Sequence, residues 1–192
     1  MTEQKAPLRS DGRRNRERLI AAASILVARD GAEASLEEIA RQAGVGSATL
    51  HRHFRSRFAL LDAVFRDGVE RLRIRARSLA ESDPGNGLVI WLGELTEYAA
   101  GTRGLATSLR FLPESDGHRI DTCHGILQDA ATILAANAIR AGTLRPEVSV
   151  DDLLALANGI SIAAEGDLAG ADRLLRLAVH GFQATGPDHT SN

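Results

Sequence analysis

Residues 35–54 read SLEEIARQAGVGSATLHRHF, and the organisation of the chain follows from them. Ser35 offers a hydroxyl at a helix start, with Glu38 three places on, the spacing of a capping box. Leu36, Ile39, Ala40 and Ala43 then recur on one helical face. Gly44-Val45-Gly46 interrupts that helix. A second short helix is predicted from Ser47 to Phe54, where Leu50 and Phe54 are four residues apart and point inward together with Val45. Two short helices joined by a glycine turn read as a helix-turn-helix. Ala48, Arg52 and Arg55 fall on the opposite, outer face, with Thr49 and His51 flanking them.

Helical periodicity continues on both sides. Leu19, Ala23, Leu26 and Val27 define a helix from about Arg13 to Asp30, closed by Gly31 as a left-handed cap. Another starts near Arg57, with Phe58, Leu61, Phe65 and Leu72 inward. After a loop from Ser82 to Gly87, Leu88, Trp91, Leu92, Leu95, Tyr98 and Ala99 share a face. A short helix is expected from Leu105 to Leu112, ahead of Pro113. A long one follows from Gly117 to Ala141, burying Ile126, Leu127, Ala130, Ile133 and Leu134. Gly142 to Glu147 is a turn. Ser149 caps a helix running to about Glu165, whose Asp151 and Asp152 suit its positive N-terminal end. The last helix, Ala171 to Ala184, carries Leu174, Leu177, Ala178 and Phe182. No strand pattern or internal repeat stands out, so an all-α fold of about nine helices is expected. We expect an N-terminal arm and helix-turn-helix domain over 1–57, a helical domain over 58–185 and a disordered tail over 186–192.

Composition bounds the function. The 192 residues are 44% hydrophobic and 25% charged, ordinary values for a soluble globular chain. Cys123 is the one cysteine, which excludes an intrachain disulfide and argues for no oxidising compartment. The polar start, MTEQKAPLRSDGRRNRER, lacks the apolar core of a signal peptide. The longest apolar run, Ile20 to Ala28, is too short to span a bilayer. A cytoplasmic protein is expected.

The net charge of −2 conceals an asymmetry. Residues 1–77 hold 16 Lys and Arg against 10 Asp and Glu, net +6; residues 78–192 hold 7 against 15, net −8. A basic first third on an acidic remainder predicts that the first part meets an anion. Lys5 is the one lysine, and with the many alanines this points to a GC-rich bacterial genome.

A helix carrying short polar side chains at its N-terminus and arginines on its outer face fits the major groove of DNA. Ala48 permits close approach, the Thr49 methyl suits a thymine methyl, and Arg52 is the best donor for guanine. His53, Arg55 and Arg57 fall where phosphates run. The Ser35 hydroxyl and the adjoining helix amides form a further phosphate seat. Two other classes compete. An enzyme on a helical bundle needs a motif, and there is no nucleophile elbow, phosphate-binding glycine loop or HExxH. A helical adaptor would set the same arginines against an acidic protein. For a metal, Asp121 and His124 share a helix face, but Cys123 points about 100° away, so four converging ligands are not expected near His118. No cofactor is expected.

In the second domain, Trp91, Leu95, Tyr98, Phe111, Cys123 and Leu127 are candidates for a small-molecule pocket, being apolar with a few polar groups. Plain core residues would look the same. Glu94 and Glu97 would favour a cation if they faced the pocket, and solvent if not. Ala155, Asn158, Gly159, Ile162 and Ala163 lie off the most apolar stripe of their helix. Small residues there permit close helix approach, either across a dimer or within one subunit.

The pieces LIAAASILVARDG, SLEEIARQAGVGSATLHRHF and SRFALLDAVF, from Leu19 to Phe65, resemble the DNA-binding domain of the TetR family of bacterial regulators. The resemblance implies an all-α dimeric repressor whose first three helices bind operator DNA and whose remainder binds a small-molecule effector. It places Ser47, Ala48, Thr49, His51, Arg52 and His53 on the recognition helix. Arg57 takes the place of a lysine that usually opens the fourth helix, and His51 stands where tyrosine is commonest. LLALANGISIAAE and ADRLLRLAVHGF are similar to one ligand-domain subgroup of the family. The resemblance implies a four-helix dimer interface from the last two helices of each subunit, and hence a roughly palindromic operator.

Overall fold

In a computed structural model, residues 6–102, 117–164 and 167–182 are described. Eight α-helices lie among them: α1 (Ala6–Asp30), α2 (Leu36–Gln42), α3 (Ser47–His53), α4 (Arg57–Ser82), α5 (Gly87–Gly101), α6 (Gly117–Arg140), α7 (Val150–Ala164) and α8 (Leu168–Phe182). A single turn of 3-10 helix, Gly31–Glu33, joins α1 to α2. The described residues contain no strand, as the periodicity requires. The short helix expected from Leu105 to Leu112, and the tail over 186–192, lie outside the described residues.

The chain divides into two compact units, the first running to Gly68 and the second opening at Val69 inside α4. In the first, α1 packs against α2 and α3, and α2 against α3. Leu19, Ala23, Leu26 and Val27 of α1 are all buried, as are Ile39 and Ala40 of α2 and Leu50 and Phe54 at α3. Burying one such leucine is worth about 1.5–3 kcal/mol. That sum, rather than helix propensity, is what makes the seven-residue helices α2 and α3 persist.

α1 starts at Ala6, well before the apolar pattern begins at Leu19. Pro7 suits a first helical turn, where its missing N–H is not needed. Residues 11–18 are exposed or half-buried and mostly charged, so they carry no apolar stripe for periodicity to reveal.

In the second unit the core is built from α4 (Leu72, Leu79), α5 (Leu88, Trp91, Leu92), α6 (Ala131, Leu134, Ala138), α7 (Leu153, Ala157) and α8 (Ala171, Leu175, Val179). Two elements turn differently from their predicted faces. On α6, Ala130 and Leu134 are buried and Leu127 packs against the core, but Ile133 is 47% exposed. The inward stripe is carried by alanines at 131, 135 and 138, which let the neighbouring helices come close. On α8, Leu175 and Val179 point inward, and Leu177 is 69% exposed. Leu174 and Ala178 sit at the margin, against the core.

The ends of α7 and α5 are set by side chains. Ser149 Oγ accepts from the Asp152 N–H at 3.1 Å, and the Asp152 carboxylate accepts from the Ser149 N–H at 3.3 Å, a reciprocal cap. Asp83 Oδ1 accepts from the Asn86 N–H at 3.1 Å ahead of α5. Gly87 packs tightly there, since a Cβ would stand 3.1 Å from the Leu79 carbonyl oxygen.

Candidate nucleic-acid interface

The turn before α3 is built by backbone geometry. Gly44 adopts φ +65°, the left-handed region that glycine enters without cost. Its N–H donates to the Arg41 carbonyl at 3.1 Å, and the Val45 N–H donates to the Ala40 carbonyl at 3.0 Å. These are the two hydrogen bonds of a Schellman motif, and they end α2. Gly46 then caps α3 with ordinary extended backbone and no side-chain hydrogen bond.

With Leu50 and Phe54 buried, α3 presents Ser47, Ala48, His51 and Arg52 to solvent, and Thr49 is half-exposed. This is the outer face expected of a helix that enters a groove. Arg55 is also exposed, just past the helix end.

Three of the expected phosphate contacts have polar atoms turned to the protein itself. Arg57 Nη1 donates to the Ala32 carbonyl at 2.9 Å and to the Ala34 carbonyl at 2.6 Å. One end of its guanidinium therefore ties the start of α4 to the segment between α1 and α2. His53 is half-buried, and its Nε2 lies in the interior without a hydrogen-bond partner. The His53 ring lies beside Gly12, where a Cβ would stand 4.0 Å from the ring edge. The ring edge thus lies near the α1 backbone at Gly12, in a part of the helix that periodicity does not reveal.

Ser35 is exposed and caps α2 by accepting from the Glu38 N–H at 3.3 Å. Only half of the predicted capping box forms, because the Glu38 carboxylate turns to Arg41 at 3.3 Å and Arg29 at 3.6 Å. The Ser35 hydroxyl donates instead to Glu37 at 3.0 Å. The Glu37 backbone N–H and this hydroxyl hold the Glu37 carboxyl below its ordinary range, with His51 and Arg57 adding a smaller pull. The predicted phosphate seat thus already carries one of the chain's own anions.

Arg16 is a neighbour of this face that residue patterns missed. Its guanidinium carbon stands 5.3 Å from the centroid of the Phe54 ring, in cation–π geometry. No sequence signal marks it, because α1 and Phe54 meet only in the tertiary structure.

The candidates in the second unit divide. Trp91, Leu95 and Cys123 are buried, and Tyr98 and Leu127 pack partly buried against the core. Trp91 Nε1 donates to the Leu72 carbonyl at 2.9 Å, so its one polar group is already used within the core. Phe111 lies outside the described residues, as do the side chains of His118 and Asp121. Among the described residues no three His, Cys, Asp or Glu side chains are grouped to hold a metal. Glu94 faces Arg75 at 2.8 Å. Ala155, Asn158, Gly159, Ile162 and Ala163 are all exposed in the single chain.

These features define a helix-turn-helix regulator of transcription. Residues 19–64 match the model of bacterial regulatory proteins of the tetR family, and residues 83–184 match that of the SbtR-like transcriptional regulator C-terminal domain. The chain belongs to the TetR family. It is similar to a TetR transcriptional regulator from Streptomyces coelicolor at 36% identity and a TM-score of 0.77, covering 89% of this chain and 99% of that one. It is also similar to a TetR regulatory protein from Mycobacterium vanbaalenii at 32% identity and a TM-score of 0.74, covering 93% and 100%. FadR from Bacillus subtilis, in complex with stearoyl-CoA, shares the fold at 18% identity and a TM-score of 0.61, covering 86% and 98%. No curated protein matches the chain. Its family members are regulators rather than enzymes. Among the described residues, no helix is long and apolar enough to cross a membrane.

Proposed function

We propose that this protein is a cytoplasmic homodimeric repressor that binds a roughly palindromic operator and is released by a small-molecule effector. The observation that carries the reading is the division of α3 into a buried Leu50/Phe54 side and an exposed Ala48/His51/Arg52 side. Ser47, Ala48, Thr49, His51 and Arg52 enter the groove, with Arg52 the base-reading donor. Arg55 meets phosphate. Ser35 contributes only if its hydroxyl leaves Glu37, and Arg57 only through the guanidinium nitrogens that Ala32 and Ala34 leave over. His53 supports the helix more than it contacts DNA, because its Nε2 faces inward.

Dimerisation is supported by exposed apolar surface on α7 and α8. Ile162 and Leu177 are 53% and 69% exposed, and Ala155, Gly159 and Ala163 leave α7 open to close approach by a second helix. Water-exposed isoleucine and leucine on the last two helices are accounted for when a second copy covers them.

The effector is assigned to the second unit, beside Tyr98, Leu127, Leu95 and Cys123, with Phe111 as a further candidate. Trp91 serves as the wall of this region rather than as a polar contact. FadR, a protein of the same fold, is known in complex with stearoyl-CoA, which supports a ligand for this fold without locating it. Such a molecule weakens DNA binding only by as much as it prefers the released arrangement.

Selection of random DNA by the purified protein at two salt concentrations tests this function. Enrichment of a palindrome, with affinity falling steeply as salt rises, is the expected result. Enrichment of nothing at low salt would remove the DNA-binding role.

A further inference from the structure

The acidic residues of the first unit neutralise some of its arginines and leave others alone. Arg29 pairs with Asp30 and Glu38, Arg41 with Glu38, Arg13 with Glu17 and Arg66 with Asp62. Among the described residues no carboxylate pairs with Arg14, Arg16, Arg52 or Arg55. Arg52 and Arg55 belong to α3 and its end. Arg16 belongs to α1, and its guanidinium lies over the ring of Phe54, the residue that ends α3 between Arg52 and Arg55 in sequence.

That stacking holds the cation in place in a particular way. A guanidinium presents its face to an aromatic ring and keeps its N–H donors at the edge. Phe54 is buried at the C-terminal end of α3, so its ring is a fixed support. Arg16 remains exposed. Its donors are therefore pre-positioned beside the end of the recognition helix, at little further entropic cost. The neighbouring His53 Nε2 lies in the interior, with the ring edge near Gly12 of α1, so the histidine is the poorer anion contact.

We propose that Arg16 is a DNA phosphate contact, and that each half-site footprint extends from α3 onto the early turns of α1. The anion is a backbone phosphate of duplex DNA. A planar guanidinium with open N–H edges matches a phosphate, whereas base edges lie deeper in the groove. The inference rests on the assignment of α3 to DNA.

The test is the salt dependence of binding to a mixed-sequence duplex of about 30 base pairs, long enough for two half-sites one helical turn apart. Log affinity against log salt has a slope set by the number of phosphates neutralised. Arg16→Gln flattens that slope by about 0.9 for each phosphate it leaves without a cation. Arg16→Lys restores most of it, because a point charge still meets phosphate. Arg29→Gln removes an equal charge from a guanidinium already bound to Asp30 and leaves the slope where it was. Circular dichroism and thermal unfolding of each variant separate a missing phosphate partner from a failure to fold. An Arg16→Gln protein that is folded and keeps the wild-type slope overturns the proposal. Wild-type protein with no salt-dependent binding to the duplex overturns the assignment of α3 itself, and this proposal with it.

Discussion

Arg57 opens α4 and donates to the carbonyl oxygen of Ala34 at 2.6 Å, across 23 positions of chain. The same nitrogen reaches Ala32 at 2.9 Å, so one guanidinium end serves two backbone acceptors ahead of α2. We expect the main effect of this residue on DNA binding to act through the placement of the helix-turn-helix, with only the nitrogens left over available to phosphate.

Arg57→Ala should therefore lower stability by about 1.5–3 kcal/mol, the cost of removing a charged donor from paired carbonyls. Urea unfolding measures this. DNA affinity should fall with little change in its salt slope. A slope shallower by about 0.9, with stability intact, would make Arg57 a phosphate contact instead.

The two glycines of the turn should behave differently. Gly44→Ala should destabilise by about 1–2 kcal/mol, because φ +65° is strained for an L side chain even though open space surrounds it. Gly46→Ser should be neutral or stabilising by up to about 1 kcal/mol, since its φ of −72° suits any residue and a hydroxyl there can cap α3. Equal losses at both positions would mean that the turn is not held by left-handed backbone at Gly44.

Arg52 and Leu50 separate reading from folding. Arg52→Ala should cost about 1–3 kcal/mol of specific binding and relax preference at one operator position, with stability unchanged. A uniform loss over all sequences would instead mark a phosphate contact. Leu50 is 1% exposed, so Leu50→Ala should cost about 2–5 kcal/mol of stability and weaken binding through the fold. Competition among mutated operators, alongside thermal unfolding, distinguishes the two.

Leu177→Glu should shift the protein towards monomer in sedimentation velocity while its helical content persists. Each covered leucine contributes about 1.5–3 kcal/mol, and a two-fold interface contains it twice. Ile162→Glu should act in the same direction. Dimers of unchanged affinity in both variants would place the interface elsewhere.

The single sequence determined what short-range geometry controls. The Leu50/Phe54 spacing, the Gly44 turn, the Ser35 and Ser149 caps and the absence of strands all depend on residues a few positions apart, and all appear among the described residues. Tertiary structure alone decided the rest, because it required partners far along the chain. The Ala32 and Ala34 carbonyls occupied one end of Arg57, the His53 Nε2 came to lie in the interior, and α1 set Arg16 over Phe54. Ile133 was left facing solvent because the alanines at 131, 135 and 138 line the buried stripe of α6, and Leu177 because Leu175 and Val179 took the inward side of α8. Periodicity establishes that a helix has an apolar side, but when small and large apolar residues encircle it, only the neighbouring helix selects which side is buried.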